Sequence, residues 1–142
     1  ASYQINDRLN AFGGLAFNDG MADTFPDSSL SSRSEPVSRL LPVTASLGLR
    51  YDISDSQWFE LNSILSDRQD KLNTRDQRDT QRIPPGGTPG YAIFNMRYGL
   101  QLNEQMLLTA SIENITDEEY RIHGSGQNEP GLNFILGASV KF

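Results

Sequence analysis

Apolar and polar residues alternate with a period of two in six stretches: Arg8–Asn18, Val43–Asp52, Gln57–Asp67, Tyr91–Gln101, Met106–Asn114 and Leu132–Phe142. That period sends successive side chains to opposite faces of an extended chain, so each stretch predicts a β-strand. Helical periodicity is hard to find. Each stretch is about ten residues, longer than the ~5–6 usual in soluble domains and near the ~9–11 that cross a bilayer at a tilt. The connections alternate in length. Ile53–Ser56 and Leu102–Gln105 read as tight polar turns; Asp19–Pro42, Arg68–Gly90 and Ile115–Gly131 are long and rich in Pro, Gly, Ser, Asp and Arg. Short turns at one edge and long loops at the other are the pattern of an outer-membrane barrel, and loops this long are uncommon inside compact domains.

Charge sharpens the picture. The more apolar parity runs through Leu9, Ala11, Gly13, Leu15 and Phe17, then Val43 to Tyr51, Phe59 to Leu65, Ala92 to Leu100, Met106 to Ile112 and Leu132 to Phe142, with no charged residue. The opposite parity holds Arg8, Arg50, Glu60, Arg97, Glu113 and Lys141. A charge on a lipid face costs roughly 2–4 kcal/mol near the midplane. The expectation is therefore an outward, lipid-facing side with Leu47, Leu61, Met96, Leu108 and Leu136. Phe17, Phe94 and Phe134 lie toward the long-loop rim, and Tyr51, Phe59 and Phe142 toward the short-turn rim, like two aromatic girdles. Asn62, Ser66, Asn95, Gln101, Thr109, Ser111 and Asn133 would line a polar interior.

Composition removes other classes. The 142 residues carry a net charge of −6, which argues against a nucleic-acid partner. Cysteine is absent and histidine occurs once, so disulfides, thiol chemistry and a multi-histidine metal site are excluded. No apolar run reaches the ~20 residues of a spanning helix. The N-terminus lacks the basic and apolar regions of a signal peptide and reads like a sequence begun midway. Mean hydropathy is −0.48, which a β-barrel tolerates because only alternate strand residues need be apolar.

From about Arg75 onward, "NITDEEY" (Asn114 to Tyr120), "HGSGQNEPGLNF" and the closing aromatic residue resemble the C-terminal end of a TonB-dependent outer-membrane receptor. Ile115 stands where that family commonly has Leu. Upstream, "SRLLPVTASLGLRYD" resembles the family's Pro-rich approach to a descending strand. The resemblance implies an all-β, antiparallel, up-and-down transmembrane barrel segment: about six strands of a barrel of about 22, with the plug domain and N-terminal strands absent. It implies a transporter of the Gram-negative outer membrane rather than an enzyme, importing a scarce nutrient of the ferric siderophore, haem or cobalamin class. Its partners would be outer-membrane lipid, the barrel-assembly machinery, TonB through the absent N-terminal region, and a small nutrient ligand. "GASVKF" resembles the assembly signal of such barrels, with Gly137, Val140 and Phe142 in the expected places; Ile135 departs, since a polar residue is more usual there.

Candidate chemistry is sparse, and no cofactor is expected. His123, among glycines in the last long loop, is a haem or metal contact or, more commonly for a lone loop histidine, a surface residue or a hydrogen-bonding partner. The mixed-charge run Arg75 to Arg82 offers Arg75, Arg78 and Arg82 to an anionic ligand, or is a solvated, self-paired loop. "PPGGTPG" (Pro84 to Gly90) lacks the Lys-Ser/Thr and following helix of a phosphate loop. Asp117, Glu118 and Glu119 lack a metal-loop spacing, and Ser125 lacks a nucleophile-elbow context. The rival reading is a soluble or secreted all-β ligand-binding module, in which the apolar parity points inward and the charges outward.

Overall fold

The structure, a computed structural model, describes residues 1–27 and 31–142. Residues 28–30, part of the expected Asp19–Pro42 loop, lie outside the described residues. The chain is all-β and antiparallel. Its main sheet has seven strands: β1 (Ser2–Asn6), β2 (Leu9–Ala16), β5 (Thr44–Ser54), β6 (Gln57–Ser66), β7 (Tyr91–Asn103), β8 (Met106–Glu113) and β9 (Asn133–Val140), paired in that order. A second sheet is the hairpin of β3 (Met21–Thr24) and β4 (Arg33–Pro36), and one short helix, α1, covers Thr74–Arg78.

Several expectations are corrected. The main sheet has seven strands where six were read, because Ser2–Asn6 pairs with β2. Arg8 belongs to a turn, not to a strand. Leu132 and Phe142 flank β9 rather than lying in it. The first long loop contains the β3–β4 hairpin, and the second contains α1.

The three short connections are built alike. Each joins strands through two residues: Asp7–Arg8, Asp55–Ser56 and Glu104–Gln105. At the first turn, Asn6 Oδ1 accepts from the backbone N–H of Arg8 and of Leu9, both at 2.9 Å. At the third, Asn103 Oδ1 accepts from Gln105 and Met106, both at 3.0 Å. Ser54 Oγ takes the same place more weakly, accepting from Ser56 N at 3.3 Å. A short polar side chain at the first turn position thus satisfies the backbone donors that the reversal leaves unpaired. The strand entering each turn has a register irregularity just before it.

The register separates the two faces completely. Directly opposite residues form the row Tyr3, Ala11, Leu49, Leu61, Met96, Ile112, Phe134 across all seven strands. One residue along, the other face carries Gln4, Asn10, Arg50, Glu60, Arg97, Ser111, Ile135. With a period of two, slipping one strand by one residue would exchange these sets.

The polar face is not wholly polar. Phe12 lies across Gly48 and Trp58 across Gly99, in each case from the directly opposite position. A Cβ on either glycine would strike the ring, so the glycine is what lets the aromatic lie flat on the sheet. Ile93, also on this face, is buried near the long-loop end.

Candidate functional site

Two regions carry the chemistry: the apolar face of the sheet and the layer formed by the three long loops.

On the apolar face, Leu47 and Leu61 are about half exposed, Leu136 is 86 % exposed, and Met96 and Leu108 are partly covered. No paired position on this face is charged. Tyr51 and Phe59 are directly opposite each other toward the short turns, while Phe94 and Phe134 sit toward the long loops. Phe17 follows β2 and Phe142 follows β9, both strongly exposed. Val140 ends β9 opposite Met106, and Gly137 faces Thr109 across the ladder on the polar side.

The polar face holds a hydrogen-bonded ladder. Asn95 Nδ2 donates to Asn62 Oδ1 at 2.8 Å, Asn62 Nδ2 donates to Glu60 Oε1 at 3.3 Å, and the backbone N–H of Asn114 donates to Asn95 Oδ1 at 2.9 Å. The Arg50 guanidinium lies 4.3 Å from the centre of the Trp58 ring and contacts Asp52 at 3.3 Å. Trp58 was not singled out from the sequence; its alternate position among polar residues on this strand was the available signal.

In the loop layer, most of the buried residues among those described are polar, and Ile83 is buried as well. Asp76 in α1 is buried and accepts from Ser38 Oγ at 2.6 Å and from Arg39 N at 3.0 Å. Asn73 caps the helix by accepting from Asp76 N at 2.8 Å, and its amide donates to Pro36 O. Glu35 of β4 accepts from the Thr74 hydroxyl, Thr74 N and Thr24 Oγ1. The Thr74 hydroxyl bond, opposed by burial and reinforced by Thr24, Thr74 N and the Arg33 charge, holds the Glu35 carboxyl below its ordinary range. These contacts tie the first long loop to the second.

The last loop is folded by the residues of "NITDEEY". Asn114 is buried in a left-handed conformation (φ 51°). Its amide donates to the carbonyls of Glu118 and Pro130 and accepts from Glu118 N. Asp117, also left-handed (φ 53°), accepts from Leu132 N at 2.8 Å. Tyr120 packs on Tyr91 with ring centres 4.6 Å apart. The three side chains therefore clamp both ends of the loop to the sheet, and Asp117 has a structural task rather than a metal-binding one.

The four candidate ligand contacts fall into different settings. Arg75 and Arg78 are exposed on α1 beside a cleft of about 410 Å³. Arg82 is paired with Asp79 at 3.2 Å, which also binds Arg39 at 3.0 Å. His123 is buried, with Nδ1 2.8 Å from Thr88 Oγ1 and Nε2 without a partner among the described residues. Burial, opposed by the charge of Asp76 and aided by that of Arg39, lowers its pKa. His123 is thus an interior residue hydrogen-bonded to Thr88, rather than a surface one. Among the described residues no group of three or more His, Cys, Asp or Glu is placed to hold a metal ion.

No protein-family model matches the sequence, and no curated protein sequence matches it. Among solved structures, the chain is similar to the copper transporter OprC, with a TM-score of 0.74 at 15% identity. The similarity covers 99% of this chain and 22% of that one, so the chain spans about a fifth of the length of that protein. At this identity the likeness is one of fold.

Proposed function

We propose that the chain is the C-terminal part of the barrel of a TonB-dependent outer-membrane receptor that imports a scarce nutrient, with its apolar face against lipid and its polar face toward the barrel interior. The observation that carries this reading is the uncharged row from Tyr3 to Phe134, exposed or partly exposed on each of seven strands, set against the charged row through Arg50, Glu60 and Arg97. No element of the described chain covers the apolar row, and water would leave it a large exposed apolar patch. The fold shared with a transporter supports the same reading. The OprC cargo does not transfer with its fold at this identity, and the siderophore, haem or cobalamin class rests on the sequence resemblance alone. In this reading Leu47, Leu61, Met96, Leu108 and Leu136 meet acyl chains, the six rim aromatics form the girdles, and TonB acts through a region outside these residues.

This chain is free of cysteine, and single cysteines introduced here into a cysteine-free background of the full-length protein, carrying spin labels, can report the facing in bilayers. Labels at Leu61→Cys and Leu136→Cys should be accessible to lipid-dissolved oxygen and shielded from a water-soluble nickel chelate. A label at Arg97→Cys should show the reverse. Shielding of Leu61→Cys from both, with Arg97→Cys open to water, would favour the soluble module.

A further inference from the structure

The mixed-charge segment Arg75 to Arg82 looks self-compensating in sequence, but α1 sorts it. Asp76 and Asp79 turn toward the loop that precedes β5, where Ser38 and Arg39 bind them. Arg75 and Arg78, three residues apart and so on one side of the helix, line the cleft between α1 and the β3–β4 hairpin. Neither forms an ion pair among the described residues. Among the described residues, the polar contact of the Arg78 guanidinium is with a neutral group, the Pro26 carbonyl at 2.9 Å.

The rest of the cleft is mostly apolar, with Phe25, Pro26, Pro36 and Val37 among its walls. One carboxylate also lines it, that of Glu35, but both its oxygens are engaged by Thr24 and Thr74. The volume of about 410 Å³ falls in the range of small-molecule sites. Guanidinium pairs favour planar oxyanions.

From this geometry we infer that the cleft between α1 and the β3–β4 hairpin binds a small organic anion, with its apolar body against Phe25 and the prolines and its oxyanion on Arg75 and Arg78. The inference deepens the ligand side of the receptor reading. Its test reads binding in the loop layer, whereas the receptor reading is tested by lipid accessibility, so each can fail without the other.

The probe is naphthalene-2-sulfonate, compared with its neutral counterpart naphthalene-2-sulfonamide, titrated calorimetrically against the full-length protein in detergent. Uptake by micelles or by the apolar sheet face takes both probes alike. The site should therefore appear as a sulfonate-specific component that weakens as salt rises. Replacing Arg75 and Arg78 together by Gln should weaken that component about tenfold or more, while Arg68→Gln, which removes a cation outside the cleft, should leave it in place. Phe25→Ala should weaken binding of the sulfonate without removing its salt dependence. Equal binding of the two probes to the wild-type protein would overturn the inference, as would equal losses in the Arg68 and Arg75/Arg78 variants.

Discussion

At the scale of single residues, the loop layer depends on a few buried polar groups placed far apart in sequence. His123 is the most exposed to circumstance, because its Nδ1 is held by Thr88 while Nε2 has no partner among the described residues. A charged imidazole there would need an acceptor for its second proton. Its pKa is lowered from the ordinary 6.5 by burial, so the folded state binds fewer protons than the unfolded one below that value. Stability is then complete above about pH 6.5 and is lost as pH falls from there toward the lowered folded value. The carboxylate of Asp76 and the guanidinium of Arg39 are the charges that bear on the ring, with opposite effects. Thermal unfolding of the full-length protein should show a transition that falls between pH 7 and pH 5.5, and His123→Gln, which cannot titrate, should flatten that dependence. An equal slope in the variant would mean that other groups carry it.

At the scale of elements, the pairing of strands was legible because the period of two is strict: the rows through Leu61 and Glu60 follow directly from alternation. What was not legible has physical reasons. Ser2–Asn6 is five residues with a register irregularity inside it, so its pattern is weak and β2 defines it. The hairpin strands Met21–Thr24 and Arg33–Pro36 are largely polar and are held by Thr24, Glu35 and Thr74 rather than by a buried face. Helix α1 is too short for a period to appear and is marked only by its Asn73 cap. The burial of His123 against Thr88 arises from a contact between loops, which alternation along one strand does not reveal, whereas the pairing of Arg82 with Asp79 lies within one loop, three residues apart in the mixed-charge run. The aromatic–glycine pairs on the polar face offer a test of sheet packing. Gly99→Val should push Trp58 off the sheet, with a loss of roughly 1–3 kcal/mol, the usual range for overpacking, and a changed emission from the chain's single tryptophan. Gly14→Val, where a Cβ meets only the Ser46 hydroxyl at 3.4 Å, should stay within about 0.5 kcal/mol of the parent.

At the scale of the whole molecule, the sheet has two unpaired edges, the outer sides of β1 and β9. Seven strands fall below the ~8 of the smallest bacterial outer-membrane barrels, and each unpaired backbone group in lipid costs several kcal/mol. In the receptor reading both edges are therefore closed by strands outside these residues, and β9 is where closure has to be completed. Phe142 lies just beyond β9, and its side chain is fully exposed, packing on nothing in the described sheet. Within these residues Phe142 buries no surface, so in the receptor reading its effect is expected at the assembly step that joins the β9 edge. Gly137 and Val140 differ, since both lie in the ladder with β8. Deleting Phe142 from the full-length protein should lower the amount assembled in the outer membrane. The assembled fraction should keep the stability of the parent within about 0.5 kcal/mol, and so a nearly unchanged thermal midpoint. Heat-modifiable gel mobility of membrane fractions measures the first quantity, and melting of purified barrels the second. Unchanged assembly would remove Phe142 from the signal. Normal assembly with a lowered midpoint would instead make it part of the packed barrel.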